Sequence, residues 1–188
     1  MKYFFKKTTN HHVGNITSSI NNYLNHESFS TNLEYIKVIR KLKRLIKKES
    51  IPNDRTKLFE KEIKSINKNR TLTEKTDWGG VSLKYVNVGK NKIKKLLVIK
   101  KLGVLGFEYH KLKHEKLKIL EGKCVLFYSN HKSKGWEKGQ ICYKLAKPYD
   151  KFEFCPYDEH GIIALKNSVI EETSTNDLDD LVFVYTLK

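Results

Sequence analysis

Four residues in the second half of the 188-residue chain have the types and spacing of a metal-binding cluster: Glu108, His110, Glu115 and His160. Glu108 and His110 are two positions apart. On an extended strand that spacing puts both side chains on one face, about 7 Å apart along the chain. Gly106 shares that face, and Leu105, Phe107 and Tyr109 take the other. Glu115 opens the next strand-like run, with Leu117 and Ile119 on its face, and Glu121-Gly122 closes the run with a turn. Carboxylate oxygens and imidazole nitrogens together suit first-row divalent ions such as Zn, Mn or Fe. His160 follows a proline-containing turn and is the candidate fourth ligand. It stands 50 residues after His110, so local sequence alone does not prove that the two converge. The alternative is a polar interior without an ion, which burial of four ionisable groups makes costly.

The elements that must position these residues are short strands. After residue 76, apolar runs alternate with turns every eight to twelve residues. The runs are 93–99, 104–110, 115–120, 123–128, 140–145, 151–155, 161–165, 168–173 and 181–187. Such spacing predicts an all-β sandwich or barrel over 76–188. Residues 1–75 read as a basic, partly helical extension. Leu33, Ile36, Ile39, Leu42 and Ile46 form an amphipathic stripe that predicts a helix over 31–50, and a shorter one is predicted over 55–67.

The net charge is +16, with +10 in residues 1–75 and +6 in the remainder. A basic surface attracts polyanions, and a polyanion-binding role for the basic helix at 37–48 is one reading. No nucleic-acid motif accompanies the charge, so nucleic acid is not the expected partner. The chain has no apolar run long enough to span a bilayer, and its basic, aromatic start is too short for a signal peptide. A soluble, cytoplasmic protein is expected. Cys124, Cys142 and Cys155 are odd in number and unpaired by motif, so they read as free buried thiols. Trp78 and Trp136 could contact a sugar, although packing is the simpler role for both; His131 and His114 are expected to be outside the chemistry.

Two segments resemble the two motifs of the cupin superfamily. The first is Glu108-x-His110-(x4)-Glu115-(x6)-Gly122 and the second is Pro156-Tyr157-Asp158-Glu159-His160. More narrowly, they are similar to the single-cupin proteins that resemble the C-terminal domain of type II mannose-6-phosphate isomerases. Asp77-Trp78-Gly79-Gly80 resembles that family's Pro-Trp-Gly entry segment, Lys95 matches a family lysine, and Asp179-Asp180-Leu181-Val182 resembles an Asp-Asp-Val-Val segment. Two positions depart from the pattern. Glu108 stands where relatives have a neutral Gln or His, and Phe183 replaces an Arg.

The resemblance implies a cupin barrel, a double-stranded β-helix or jelly roll, with an N-terminal helical extension. It implies a divalent metal held by Glu108, His110, Glu115 and His160. It also implies a small polar substrate, such as a sugar or sugar phosphate, and a homodimer. Glu108 would move a proton in an isomerisation or epimerisation. Lys95, or Lys113, would supply the positive charge that a developing enediolate needs. A non-catalytic cupin that binds a small ligand, with the helices serving assembly, is the alternative that Phe183 favours.

Overall fold

The rhythm of short strands after residue 76 folds into two antiparallel sheets. The computed structural model describes residue 44 and residues 56–129, 142–177 and 180–183. One helix, α1 (Lys57–Asn67), precedes eleven strands among the described residues. These are β1 (Thr73–Thr76), β2 (Gly79–Asn87), β3 (Lys92–Ile99), β4 (Val104–His110), β5 (Glu115–Glu121) and β6 (Cys124–Ser129). They continue as β7 (Cys142–Ala146), β8 (Lys151–Phe154), β9 (Glu159–Ala164), β10 (Ser168–Thr175) and β11 (Leu181–Phe183). One sheet runs β1-β2-β3-β10-β5-β8 and the other β11-β4-β9-β6-β7. Strands close in sequence, such as β4 and β5, therefore lie in opposite sheets, the wrapping of a jelly-roll barrel.

The two sheets enclose an apolar core. Val81, Leu97, Ile99, Leu117, Ile119, Cys124, Leu126, Phe154, Ile162 and Ile170 belong to it, with Trp78, Leu105, Tyr128 and Phe152 packed against its margin. Trp78 is thus a packing residue. A second cluster lies outside the barrel, where Phe59, Ile63 and Ile66 of α1 cover Leu96, Val98 and Val169. Burial of each such side chain contributes about 1.5–3 kcal/mol as an upper bound. The first half of β2 (79–83) and the end of β3 (96–99) are therefore buried without interruption. That erases the period-two pattern there, and it is why the start of β2 does not stand out in the sequence.

The helix near 55–67 is observed as α1, and the edges of the predicted strands from β3 onward that fall on described residues agree with the structure to within a few residues, while 140–141 and 184–187 lie outside the described residues. The predicted helix over 31–50 lies outside the described residues except for Arg44, which is helical. No helix among the described residues is long and apolar enough to cross a membrane. Of the cysteines, Cys124 is a buried free thiol that burial pushes up to about 12, whereas Cys155 is exposed. The expectation of buried thiols fails at Cys155 because it sits at the end of β8, entering the turn to β9.

Docking of α1 is polar as well as apolar. Its N-cap residue, Thr56, makes no side-chain cap hydrogen bond. Glu121, at the end of β5, takes that role by accepting hydrogen bonds from the backbone N–H groups of Leu58 at 3.1 Å and Phe59 at 3.0 Å. A carboxylate at a helix N-terminus also suits the helix dipole. Glu62, buried on α1, pairs with Lys84 of β2 at 2.7 Å. Gly80 lets the helix approach, since a Cβ there would lie 2.7 Å from Ile66 Cγ2 and 2.4 Å from the Glu74 carbonyl oxygen.

Replacing Glu121 with Ala should lower stability by about 1–2 kcal/mol, a cap's worth. Hydrogen exchange should show the loss concentrated in 57–67, and an unchanged exchange rate there would contradict this capping role.

Candidate metal centre

Glu108 and His110 lie on β4 and His160 lies on β9, and the ladder between those strands sets Glu108 directly opposite His160. The pairing is not regular. Leu105 is opposite Ile162 and Glu108 is opposite His160, so β4 spends three residues where β9 spends two. This bulge corrects the simple alternation expected from the sequence. Leu105 packs against the barrel core although strict alternation would put it on the face away from Glu108.

The turn before β9 aims His160. Asp158 closes it, its carboxylate accepting from Cys155 N at 2.9 Å and its own N–H donating to the Cys155 carbonyl at 3.0 Å. Tyr157, at φ 70°, donates its N–H to the His110 carbonyl at 2.6 Å, which stitches the turn to the end of β4. The His160 ring stacks on Phe154 with 4.2 Å between centroids and an 8° interplanar angle. Its Nδ1 faces the Asp158 carbonyl at 3.1 Å. A carbonyl only accepts, so Nδ1 carries the hydrogen and Nε2 is the ring atom left to face the barrel interior.

Glu115 arrives from the opposite sheet, at the start of β5. Its Oε2 lies 2.9 Å from His160 Nε2. Its Oε1 accepts from Lys113 Nζ and lies 3.4 Å from His110 Nε2. That last contact is of ion-pair length but is not aligned as a hydrogen bond, and both ring nitrogens of the buried His110 lack a hydrogen-bond partner. Lys113, buried in the link between β4 and β5, also reaches Glu172 of β10 at 2.9 Å. Lys95 of β3 reaches the same Glu172 oxygen at 3.0 Å, and Ser174 Oγ donates to it at 3.2 Å. The Lys113 link is itself pinned, because Asp180 accepts from the backbone N–H groups of Leu112 at 2.5 Å and Lys113 at 2.9 Å.

The charges follow from this geometry. Burial disfavours an ionised Glu108, and the Glu115 carboxylate adds to the effect. Together they outweigh His160, His110 and Lys113 and push its carboxyl above the usual carboxylate range. Burial acts on Glu115 in the same sense, but there Lys113 and the two imidazoles win and hold it well below that range. Burial opposes the Lys113 ammonium too, yet Glu172 and Glu115 keep it charged. His160 is raised against burial by its contacts with Glu115 and Glu108.

Of the four candidate ligands, Glu108, His110 and His160 each offer a donor atom within 4.8 Å of the others, a group that could hold a metal ion. Glu115 abuts the group but is engaged by Lys113 and His160. The donor set fits a first-row divalent ion. The partnerless nitrogens of His110 fit it also, because a buried polar group without a partner is rare unless something else satisfies it. Lys95 is brought into the same interior but is bound to Glu172 rather than to the histidines. His114 is exposed, as expected. Trp136 and His131 lie outside the described residues. Phe183, in the place of the expected Arg, pairs with Glu108 in the β4–β11 ladder. Sequence reasoning missed Glu172. The available signal was its place between Ile170 and Ser174 in the strand's period-two alternation, the set of positions that is buried.

No protein-family model and no curated protein sequence matches the chain. Solved structures similar to it include oxalate decarboxylase from Lactobacillus farciminis, at 12% identity and a TM-score of 0.49 over 60% of this chain. The match spans only 33% of that protein. A cupin-2 domain protein from Rhodospirillum rubrum matches at 12% identity and 0.47, over 56% of this chain and 65% of that one. An RmlC-like cupin from Shewanella frigidimarina matches at 14% and 0.41, over 52% and 75%. What makes this barrel a jelly roll is its own strand order and register.

Two outcomes are expected of the metal-free protein. Lys113→Met should cost about 3–5 kcal/mol in a denaturant titration, because it takes the lysine from the buried Glu115 carboxylate and leaves Glu172 with Lys95 and Ser174 alone; a loss under 1 kcal/mol would contradict the ion-pair reading. His160, raised in the folded state, contributes stability that is complete below about pH 6.5 and is lost as the pH climbs through its raised value. Glu115, lowered, contributes above about pH 4.3 and loses that contribution as the pH falls through its lowered value. The melting temperature in chelator should therefore decline on the alkaline side of this window, and His160→Gln should flatten that decline.

Proposed function

We propose that the protein is a metal-binding jelly-roll protein whose centre is held by Glu108, His110 and His160, and that it acts on a small polar metabolite, with sugar phosphates the first class to test. The observation that carries this reading is the convergence of those three donors around a buried, partnerless His110. When bound, a divalent ion supplies Lewis-acid polarisation of a substrate oxygen. The residues of the chain do the rest. The Asp158 carbonyl fixes the His160 tautomer and Phe154 fixes its plane. The centre adjoins the apolar core, to which Phe154 belongs. Burial raises the Glu108 carboxyl when no ion is present, but a bound ion would hold it ionised, so the proton-moving role expected of it belongs only to a site in which it does not ligate.

Lys95 is the weaker member of the expected catalytic pair, because its charge is balanced by Glu172. The ladder position of Phe183 beside Glu108 favours the second reading, a small-ligand-binding module without turnover. In either case the helical extension and its basic charge are proposed to serve assembly, and a homodimer remains part of the proposal.

Purified protein loaded with Zn, Mn or Fe should retain about one ion per chain through desalting, and a His110→Ala/His160→Ala variant should retain none. Equal retention by the two proteins, or none by either while both are folded, would overturn the metal reading. Turnover of any sugar phosphate by the metal-loaded protein, lost in the His110→Ala/His160→Ala variant, would favour the enzyme. Metal binding with no turnover across sugar phosphates and neutral sugars would favour the binding module.

A further inference from the structure

Glu115 was one of the four expected ligands, but the fold gives it another partner. Its Oε1 accepts from the buried Lys113 ammonium, and that ammonium is anchored from the far side by Glu172 at 2.9 Å. Glu172 is in turn held by Lys95 and Ser174. The backbone that carries Lys113 is pinned through two N–H groups by Asp180. Nothing about this lysine is loose, since side chain and main chain are both tied and the side chain is buried. For Glu115 to coordinate an ion with both histidines, it would have to surrender a charge-assisted hydrogen bond in a low-dielectric interior.

We propose that Lys113 is a built-in counter-cation that keeps Glu115 out of the metal's coordination set. The centre is then a two-histidine, one-carboxylate site formed by Glu108, His110 and His160. This inference rests on the metal reading above and deepens it. Glu108 takes over as the ligating carboxylate, which accounts for an acidic residue on β4 where related motifs carry a neutral one. Glu115 becomes a positioning residue, a fixed negative charge between Lys113 and the His160 ring. A three-residue set of this kind occupies one side of an ion and leaves the remaining positions to water or substrate oxygens.

Cobalt(II) titration of the full-length protein tests this, read by visible absorption and by competition with a chelating dye. Glu115→Gln is nearly isosteric. It should leave the cobalt spectrum unchanged and the affinity within about tenfold, the small end of effects outside the ligand set. Glu108→Gln and His110→Ala should each lose more than about a hundredfold. In Lys113→Met/Glu172→Gln one charge of each sign is removed, which frees Glu115. This variant should bind cobalt at least about tenfold tighter with an altered spectrum, and Glu115→Gln added to it should reverse both changes. If Glu115→Gln shifts the spectrum and weakens binding as much as His110→Ala, Glu115 is a ligand and the inference falls while the metal reading stands. If wild-type protein takes up no cobalt, both fall. Should the double variant fail to fold, Glu115→Gln alone decides.

Discussion

The interior of this barrel can hold charge because a lysine is buried in it. Two carboxylates, Glu115 and Glu172, project inward from neighbouring strands of the six-stranded sheet, and neither could stay ionised alone in an apolar core. The Lys113 ammonium sits between them, with Lys95 completing the neutralisation of Glu172. Glu115, kept ionised in this way, reaches across to His160 in the other sheet at 2.9 Å. A single buried cation thus underwrites the polar contact that joins the two layers beside the candidate centre. Removing it would leave uncompensated charge, which costs far more than a surface pair is worth.

The fold delivers the other groups by local irregularities. A bulge in β4 brings Glu108 opposite His160 while keeping Leu105 in the core. A tight turn at Pro156-Tyr157-Asp158 ends β8 and starts β9 with His160 already oriented through its Nδ1. The turn is tied to His110 through the Tyr157 N–H. Gly122, at φ 90°, lets the chain leave β5 beside residue 167, where a Cβ would come within 2.3 Å of the Asn167 carbonyl oxygen. The turn and Gly122 lie at strand ends, whereas the bulge falls within β4. Rigid strands thus carry the donors, and turns fix their direction.

Much of this was legible beforehand. The strand rhythm after residue 76 and the stripe of α1 follow from side-chain period and turn chemistry, and these are local. The spacing of Glu108, His110 and Glu115 was also local, and His160 could be added on its proline turn. Other features were hidden for identifiable reasons. The first half of β2 lost its alternation because it is buried without interruption between α1 and the core. The β4 bulge shows only against β9, about 50 residues away in sequence. Lys113 could be read only as a positive charge for substrate, because its second partner, Glu172, comes from β10, about 60 residues on. The β4–β5 link that carries Lys113 is held by Asp180, likewise distant in sequence.

The central claim is that Glu108, His110 and His160 meet on one ion. The most direct measurement is anomalous diffraction from crystals of the full chain grown with Mn or Zn. The account predicts one peak at about 2.0–2.2 Å from a Glu108 oxygen and from one nitrogen of each histidine, with Lys113 still on Glu115. A peak elsewhere, or crystals that take up the ion nowhere near these three residues, would contradict it.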